Sequence, residues 1–257
     1  MIQSIIREKY NSIVKIDATG ISTRELNIRL RDFVSMKTQN IEIKNVCGQR
    51  YIGTDLDKKV NIDIFGTPGN DLGAFMNGPR IIVHGNAQDG CGNTMNDGEI
   101  IVHGHAGDIT GLSARGGKIF IREDVGYRAG IHMKEYRDKK PELVIGNTAQ
   151  DFLGEYMAGG IIVLLGLNLK ENEKHEANYI GTGMHGGVIY LRGNINEYQL
   201  GKEVGIAEIN EEDYSKLENL VNEFCSYFNH NPREILRNKF IKLFPLHLRP
   251  YGRLYAY

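Results

Sequence analysis

Residues 62–80 read IDIFGTPGNDLGAFMNGPR, residues 81–99 IIVHGNAQDGCGNTMNDGE, residues 100–118 IIVHGHAGDITGLSARGGK and residues 119–133 IFIREDVGYRAGIHM. Aligned on their first residues, these lines share columns nineteen residues apart: Ile62, Ile81, Ile100 and Ile119, then Ile64, Val83, Val102 and Ile121. Gly73, Gly92, Gly111 and Gly130 keep the same step, as do Met76, Met95, Ala114 and Met133. Leu72, Cys91, Thr110 and Ala129 fill the place before the glycine less strictly. A fixed period near twenty residues means stacked units rather than one layered globule.

The parts of one unit say what is stacked. Each line holds one short apolar run (Ile81-Ile82-Val83, Ile100-Ile101-Val102, Ile119-Phe120-Ile121), too short for a helix and rich in β-branched residues. The remainder is mostly Gly, Asn, Asp and small residues, which make turns. With no helix to return the chain, nineteen residues must close as one coil of strands and corners. That is an all-β, single-stranded parallel β-helix, a solenoid whose equivalent side chains form rows roughly 4.8 Å apart. The spacing leaves the handedness open.

Outward from this stretch the pattern loosens on both sides. Ile41-Glu42-Ile43 alternates like a strand, Ile43 lies nineteen before Ile62, and Gly53-x-x-Leu56 foreshadows Gly73-x-x-Met76. Before that, Val14 to Asp17 reads as a short strand. Ser22-Thr23-Arg24-Glu25 has capping-box spacing, and Leu26, Leu30, Phe33 and Val34 mark one face of a helix. After Met133 a charged loop, Lys134 to Pro141, lengthens a coil, and a second insertion, Asn168 to Asn178, lengthens another. The repeat resumes each time, at Gly154-x-x-Met157 and Gly181-x-x-Met184, and Gly193 with Gly201-x-x-Val204 reads as the last coil. Beyond Ile209, Leu217, Leu220, Val221, Phe224, Cys225 and Phe228 follow helical spacing from Asn210, and Asn231-Pro232-Arg233-Glu234 starts another helix. Residues 1–39 are thus expected to cap the first end, 40–209 to form the solenoid, and 210–257 to be a helical extension covering the second end. The last stretch, Phe240 to Tyr257, rich in aromatics and arginine (Phe244, Arg249, Tyr251, Arg253, Tyr255 and Tyr257), would pack along the coils or dock on another protein.

Composition excludes more than it proposes. The chain has 257 residues, 41% hydrophobic and 25% charged, with a net charge of −1, so no electrostatic case arises for nucleic acid or membrane partners. Glycine stands out at 31 residues, placed in register rather than in a low-complexity run. Three cysteines far apart, Cys47, Cys91 and Cys225, fit a reducing compartment better than a disulfide framework. The first residues lack the apolar core of a signal peptide, and the longest apolar run, Ile161 to Leu165, is far below a membrane span. The expected location is cytoplasmic.

Candidate sites are few. His84 and His103 should stack in adjacent coils, with His105 close by, which suggests a metal site; Arg122 stands at the equivalent place one coil on, and three or four convergent ligands are needed. The row Asn70, Asp89, Asp108 offers carboxylates for acid–base work, although Asn and Asp in corners usually cap their own backbone. Met76, Met95, Met133, Met157 and Met184 are expected to pack inward. Gly181-x-Gly183-x-x-Gly186 has dinucleotide spacing but opens no helix. The corner glycines Gly66, Gly69, Gly73, Gly85, Gly92, Gly104, Gly107, Gly111, Gly126, Gly130, Gly154 and Gly181 are assigned a structural role: positive φ, or close passage of the coil above.

The recurrent Gly-x-x-Gly-x-x-x-Gly, seen at Gly66, Gly69, Gly73 and at Gly104, Gly107, Gly111, resembles the GXGXG domain of the glutamate synthase large subunit. Similar repeats occur in one subunit of formylmethanofuran dehydrogenase. The likeness covers residues 40 to 209, including Asn45-x-x-Gly48-Gln49-Arg50-Tyr51-Ile52-Gly53, while Gln88 and Glu123 stand where the motif has glycine. It implies a right-handed β-helix with no catalytic, cofactor-binding or metal-binding residues of its own. It further implies a stand-alone, archaeal-type structural subunit of a glutamate synthase oxidoreductase complex in nitrogen metabolism. Glutaminase and flavin synthase partners would carry out transfer of the glutamine amide to 2-oxoglutarate, and FMN and an iron–sulfur cluster would sit in those partners. The alternatives are a scaffold like the repeat-bearing subunit of formylmethanofuran dehydrogenase, and a metal-dependent enzyme built on the stacked histidines; self-association of free chains stays open.

Overall fold

In the computed structural model, which describes residues 13–170 and 173–247, turns and strands alone make up the repetitive segment. Strand β1 (Ile13–Asp17) leads into helix α1 (Thr23–Ser35). Then follow β2 (Asn40–Cys47), β3 (Asn61–Thr67), β4 (Asn77–Val83), β5 (Asp97–Val102), β6 (Lys118–Ile121), β7 (Glu142–Ile145), β8 (Ala158–Leu164) and β9 (Gly186–Arg192). Each pairs in parallel with the next, from β1 to β9. From β2 to β9, parallel neighbours joined by turns and loops define a β-solenoid.

The register reproduces the sequence columns. Ile62 lies opposite Ile81, Ile81 opposite Ile100 and Ile100 opposite Ile119. The insertion after Met133 leaves the ladder intact, since Ile119 pairs with Leu143 and Leu143 with Ile162. These residues are buried in one continuous core, together with Leu72, Cys91, Ala129 and the methionine row Met76, Met95, Met133, Met157 and Met184. The unbranched thioether fills the irregular gap between coils.

At the first end, α1 contributes Leu26, Leu30 and Val34 to this core. Ser22 Oγ accepts the Glu25 amide at 3.2 Å, whereas the Glu25 carboxylate turns to Arg29, so only half of the capping box forms. Asn27 and Arg31 donate to the carbonyls of Arg50 and Thr54 at 2.9 and 3.2 Å, which lays the helix against the first corner.

The second end departs from the expectation of a last parallel coil covered by helices. Strand β11 (Phe240–Pro245) inserts between β9 and β10 (Val204–Glu208), antiparallel to both. Helix α2 (Glu211–Phe228) lies along the side of the sheet instead of over its end. Its Leu217, Leu220, Val221, Phe224, Cys225 and Phe228 pack on Ile101, Phe120, Val144, Ile161, Val163, Leu165 and Tyr190. The reason is in those strand residues: from β5 onward the outward-facing side chains are apolar, and a sheet apolar on both faces needs a second cover. The short α3 (Pro232–Leu236) then returns the chain to β11.

Charged contacts fix the position of α2. At the strand starts Arg80, Glu99, Lys118 and Glu142 lie in register, alternating in sign. Arg80 meets Glu99 at 2.8 Å and Lys118 meets Glu142 at 3.5 Å; from α2, Glu223 reaches Lys118 at 2.6 Å and the Tyr227 hydroxyl donates to Glu99 at 2.9 Å. Burial works against the Lys118 ammonium, but the Glu223 hydrogen bond and the Glu142 charge outweigh it and hold its pKa above the usual lysine value. At the other end of α2, Asp213 is 3% exposed. Its carboxylate accepts the Tyr190 hydroxyl at 2.7 Å and Lys242 Nζ on both oxygens at 2.9 Å, joining β9, α2 and β11.

Candidate partner-binding corner

Each coil turns at its corner glycine, and three alternate residues there share the left-handed conformation. In one coil they are Arg128 (φ 58°), Gly130 (71°) and His132 (56°); in the next, Phe152 (67°), Gly154 (67°) and Tyr156 (51°). The alternation aims successive amides up, down and up the stack. Arg128 N donates to Asp151 O at 3.0 Å, Gly130 N to Thr110 O at 2.8 Å, and His132 N to Glu155 O at 3.0 Å. The corner thereby satisfies its backbone between coils. A side chain in this conformation costs about 1–2 kcal/mol. The central place is further closed to any side chain, since a Cβ on Gly130 would lie 2.4 Å from Ile162 Cδ1.

The two flanking places face outward, and their occupants change along the stack. Tyr51, Asp55, Asp71, Phe75, Gly90, Thr94, Ile109 and Ser113 occupy them in the lower coils; Arg128, His132, Phe152, Tyr156, Tyr179 and Gly183 occupy them above. Phe152 and Tyr179 stack with ring centroids 4.9 Å apart, Arg128 lies 4.5 Å from the centre of the Phe152 ring, and His132 stacks on Tyr156 at 5.4 Å. Glu155, 8% exposed, anchors Arg128 at 2.9 Å. Tyr156 and Tyr179 are 47% and 55% exposed. Polar, apolar and aromatic residues all fill these places below, Ser113 and Asp71 as well as Ile109, Tyr51 and Phe75, so the corner conformation does not itself select aromatics. Exposed aromatic rings such as those of Tyr156 and Tyr179 are of the kind enriched in protein–protein contacts.

The candidate histidines separate into two groups. His84 and His103 stack at 5.4 Å, with Phe65 beneath His84 and the edge of Phe228 against His103. His84 Nε2 lies 2.7 Å from Asp63 Oδ1. His105 is exposed, and its amide donates to Asn86 Oδ1 of the coil below at 3.2 Å. Among the described residues, no three His, Cys, Asp or Glu side chains gather as a metal-binding group. The cysteines lie apart as free thiols, and burial pushes that of Cys91 up to about 12.

The corner carboxylates cap, but not their own backbone. Asp89 Oδ1 accepts the amide of Asp108, and Asp108 Oδ1 that of Tyr127, at 3.0 and 2.8 Å, each nineteen residues on. Asn70 begins the row at the corner, where its carbonyl accepts the Tyr51 amide at 3.0 Å. This ladder gives a second set of glycines its own reason. A Cβ on Gly107 would stand 2.2 Å from Asp89 Oδ1, and on Gly126 2.1 Å from Asp108 Oδ1. The close approach is thus to the coil below and involves a side chain.

The remaining candidates resolve into structure. The 134–141 loop folds back on the stack: Tyr136 and Lys139 form an antiparallel bridge, and Lys139 Nζ donates to Asn77 and Asp97 at 3.0 and 3.2 Å. Gly181 and Gly183 are left-handed corner residues, and a side chain on Gly183 would strike the Tyr156 ring. The insertion at 168–178 and the stretch from Phe240 to Tyr257 both lie partly outside the described residues; the described part of the latter contains β11. The nineteen-residue columns do not single out the aromatic strip, although its signal is in the sequence: Phe152, Tyr156 and Tyr179 stand two places before or after a corner glycine.

Comparison with known proteins places this arrangement. A family model described as the GXGXG motif matches residues 17–246. Over 251 residues the chain is 53% identical to an uncharacterized protein of Methanocaldococcus jannaschii, covering 95% of this chain and 96% of the relative.

Proposed function

Because this chain belongs to the GXGXG motif family, we propose that it is a noncatalytic structural subunit of a glutamate synthase-like complex. In that complex, partner chains transfer the glutamine amide nitrogen to 2-oxoglutarate, using FMN and an iron–sulfur cluster of their own. The same reading gives the solenoid a right-handed winding of about nineteen residues per coil, with α1 as its cap, and places the protein in the cytoplasm. The observation that carries it is the outward aromatic strip at Phe152, Tyr156 and Tyr179. Its Tyr156 and Tyr179 are exposed, Phe152 is half-buried, and the rings stack across coils, Phe152 on Tyr179 and Tyr156 on His132.

Affinity purification of the intact chain from its native cell, with identification of co-purifying proteins, tests the proposal. Glutaminase and flavin-synthase chains are the expected partners. The triple variant Phe152→Ser, Tyr156→Ser, Tyr179→Ser should lose them while its melting temperature stays close to that of the parent. Co-purification with a molybdenum or tungsten formylmethanofuran dehydrogenase would keep the scaffold and replace the pathway. A chain recovered alone at native expression would refute the scaffold role.

A further inference from the structure

A groove of about 480 Å³ opens between the 134–141 loop, the first residues of β8 and β9, and the C-terminal elements β10, β11 and α2. That volume is in the range of small-molecule sites. Its walls are apolar: Ile161 and Val188 from the sheet, Phe244 and Pro245 from β11. Its floor is the Tyr190–Asp213–Lys242 cluster, in which the buried carboxylate already holds two donors and presents no unmet negative charge.

The further charged side chains of the lining are Lys140, Lys216 and Glu135. Lys140 pairs with Glu135 at 3.4 Å and Lys216 with Glu212 at 2.6 Å, and in both pairs each side chain is at least 40% exposed. Such exposed pairs contribute little and leave both ammonium groups open to a second anion. An anion seated in the groove would meet both cations against apolar walls, where charges attract more strongly than in open water. A cation would meet three lysines, while the two carboxylates of the lining already hold donors, Glu135 from Lys140 and the Gly160 amide and Asp213 from Tyr190 and Lys242.

We infer that this groove binds a small organic anion, a carboxylate or phosphate head on an apolar body. The head faces Lys140 and Lys216, and the body lies against Ile161, Val188, Phe244 and Pro245. The site does not depend on which proteins the chain assembles with. Bound there, the ligand ties the 134–141 loop to α2 and β11.

Isothermal titration of the intact chain with phenyl phosphate, benzoate and inorganic phosphate tests this. Saturable binding of phenyl phosphate or benzoate is expected, the tighter of the two identifying the head, with inorganic phosphate weaker because it lacks the body. The double variant Lys140→Ala, Lys216→Ala should weaken binding about tenfold or more, and Val188→Trp should abolish it by filling the groove, both with melting temperatures near the parent's. Three results would overturn the site: no saturation with either aromatic probe, unchanged affinity in the double variant, or inorganic phosphate binding as tightly as phenyl phosphate.

Discussion

His84 and His103, nineteen residues apart, stack with ring centroids 5.4 Å apart and planes 16° from parallel. Their contact reaches α2, because the other side of His103 meets the edge of Phe228, the last residue of that helix. Asp63, Arg122 and, over Phe65, Lys44 are the charged groups around the pair. Burial, then the charges of His84 and Arg122, lowers the His103 pKa below the ordinary 6.5. The unfolded chain therefore takes up this proton first. The stability that the neutral stack contributes is complete above the ordinary histidine pKa and is lost as pH falls through the lower, folded value. Acidification from about pH 7 to about pH 5 should speed hydrogen exchange in the last turn of α2 relative to its first turns. His103→Phe should flatten that difference; an identical pH profile in the variant would dissociate the stack from the helix end.

Two glycines separate the two costs that this residue type avoids. Gly20 has φ +67°, and a Cβ placed there would meet nothing within 4 Å, so Gly20→Ala should cost only the left-handed penalty, about 1 kcal/mol. Gly107 has no such φ, but its Cβ would stand 2.2 Å from Asp89 Oδ1 and 2.9 Å from the Asp89 backbone nitrogen. Gly107→Ala should cost more, about 2–3 kcal/mol, because one coil must shift on the next. Urea unfolding of both variants measures the difference, and equal costs would mean that the Asp89 cap moves aside freely.

The Tyr190–Asp213–Lys242 cluster predicts an acid limb. Burial raises the Asp213 pKa, but hydrogen bonds from Lys242, Tyr190 and the Asn210 backbone outweigh it and leave it below 3.8. Its stabilisation is therefore full above 3.8 and is lost as pH falls through the lower folded value. Lys242→Met strands a buried carboxylate and should cost about 3–5 kcal/mol near neutral pH. Tyr190→Phe removes one hydrogen bond and should cost about 1–2 kcal/mol. If Lys242→Met unfolded no more easily than Tyr190→Phe, the ion pair would not be what joins β9, α2 and β11.

The solenoid was legible because repetition writes it into columns: the inward positions Ile62, Ile81, Ile100 and Ile119 became neighbours in register. The apolar runs, read as single units, hid that their second residues, Ile101, Phe120, Val144 and Val163, face the other way and require a covering helix. The charge ladder was equally readable, since Arg80, Glu99 and Lys118 close three successive nineteen-residue lines. Strand β11 was not. It pairs antiparallel with β9 across the intervening β10, α2 and α3, shares no period with the coils, and is fixed by tertiary contacts that spacing cannot express.

The two ends of the stack should fail differently when cut. Deleting residues 1–39 removes α1 and β1, exposing the paired edge of β2 and the core residues that Leu26, Leu30 and Val34 cover. An unpaired strand edge templates other chains, so aggregation is expected. Deleting residues 209–257 exposes the β9 edge that β11 covers and, in addition, the apolar side formed by Ile101, Phe120, Val144, Val163 and Tyr190. The second cut uncovers a sheet face as well as an edge, so it should aggregate faster, at lower protein concentration. Replacing Phe120, Val144 and Val163 by Thr in that truncation should slow aggregation toward the rate of the first. Size-exclusion chromatography with light scattering separates the cases. A monomeric, folded 1–208 fragment would show that α2 and β11 are appended to the solenoid rather than needed to close it.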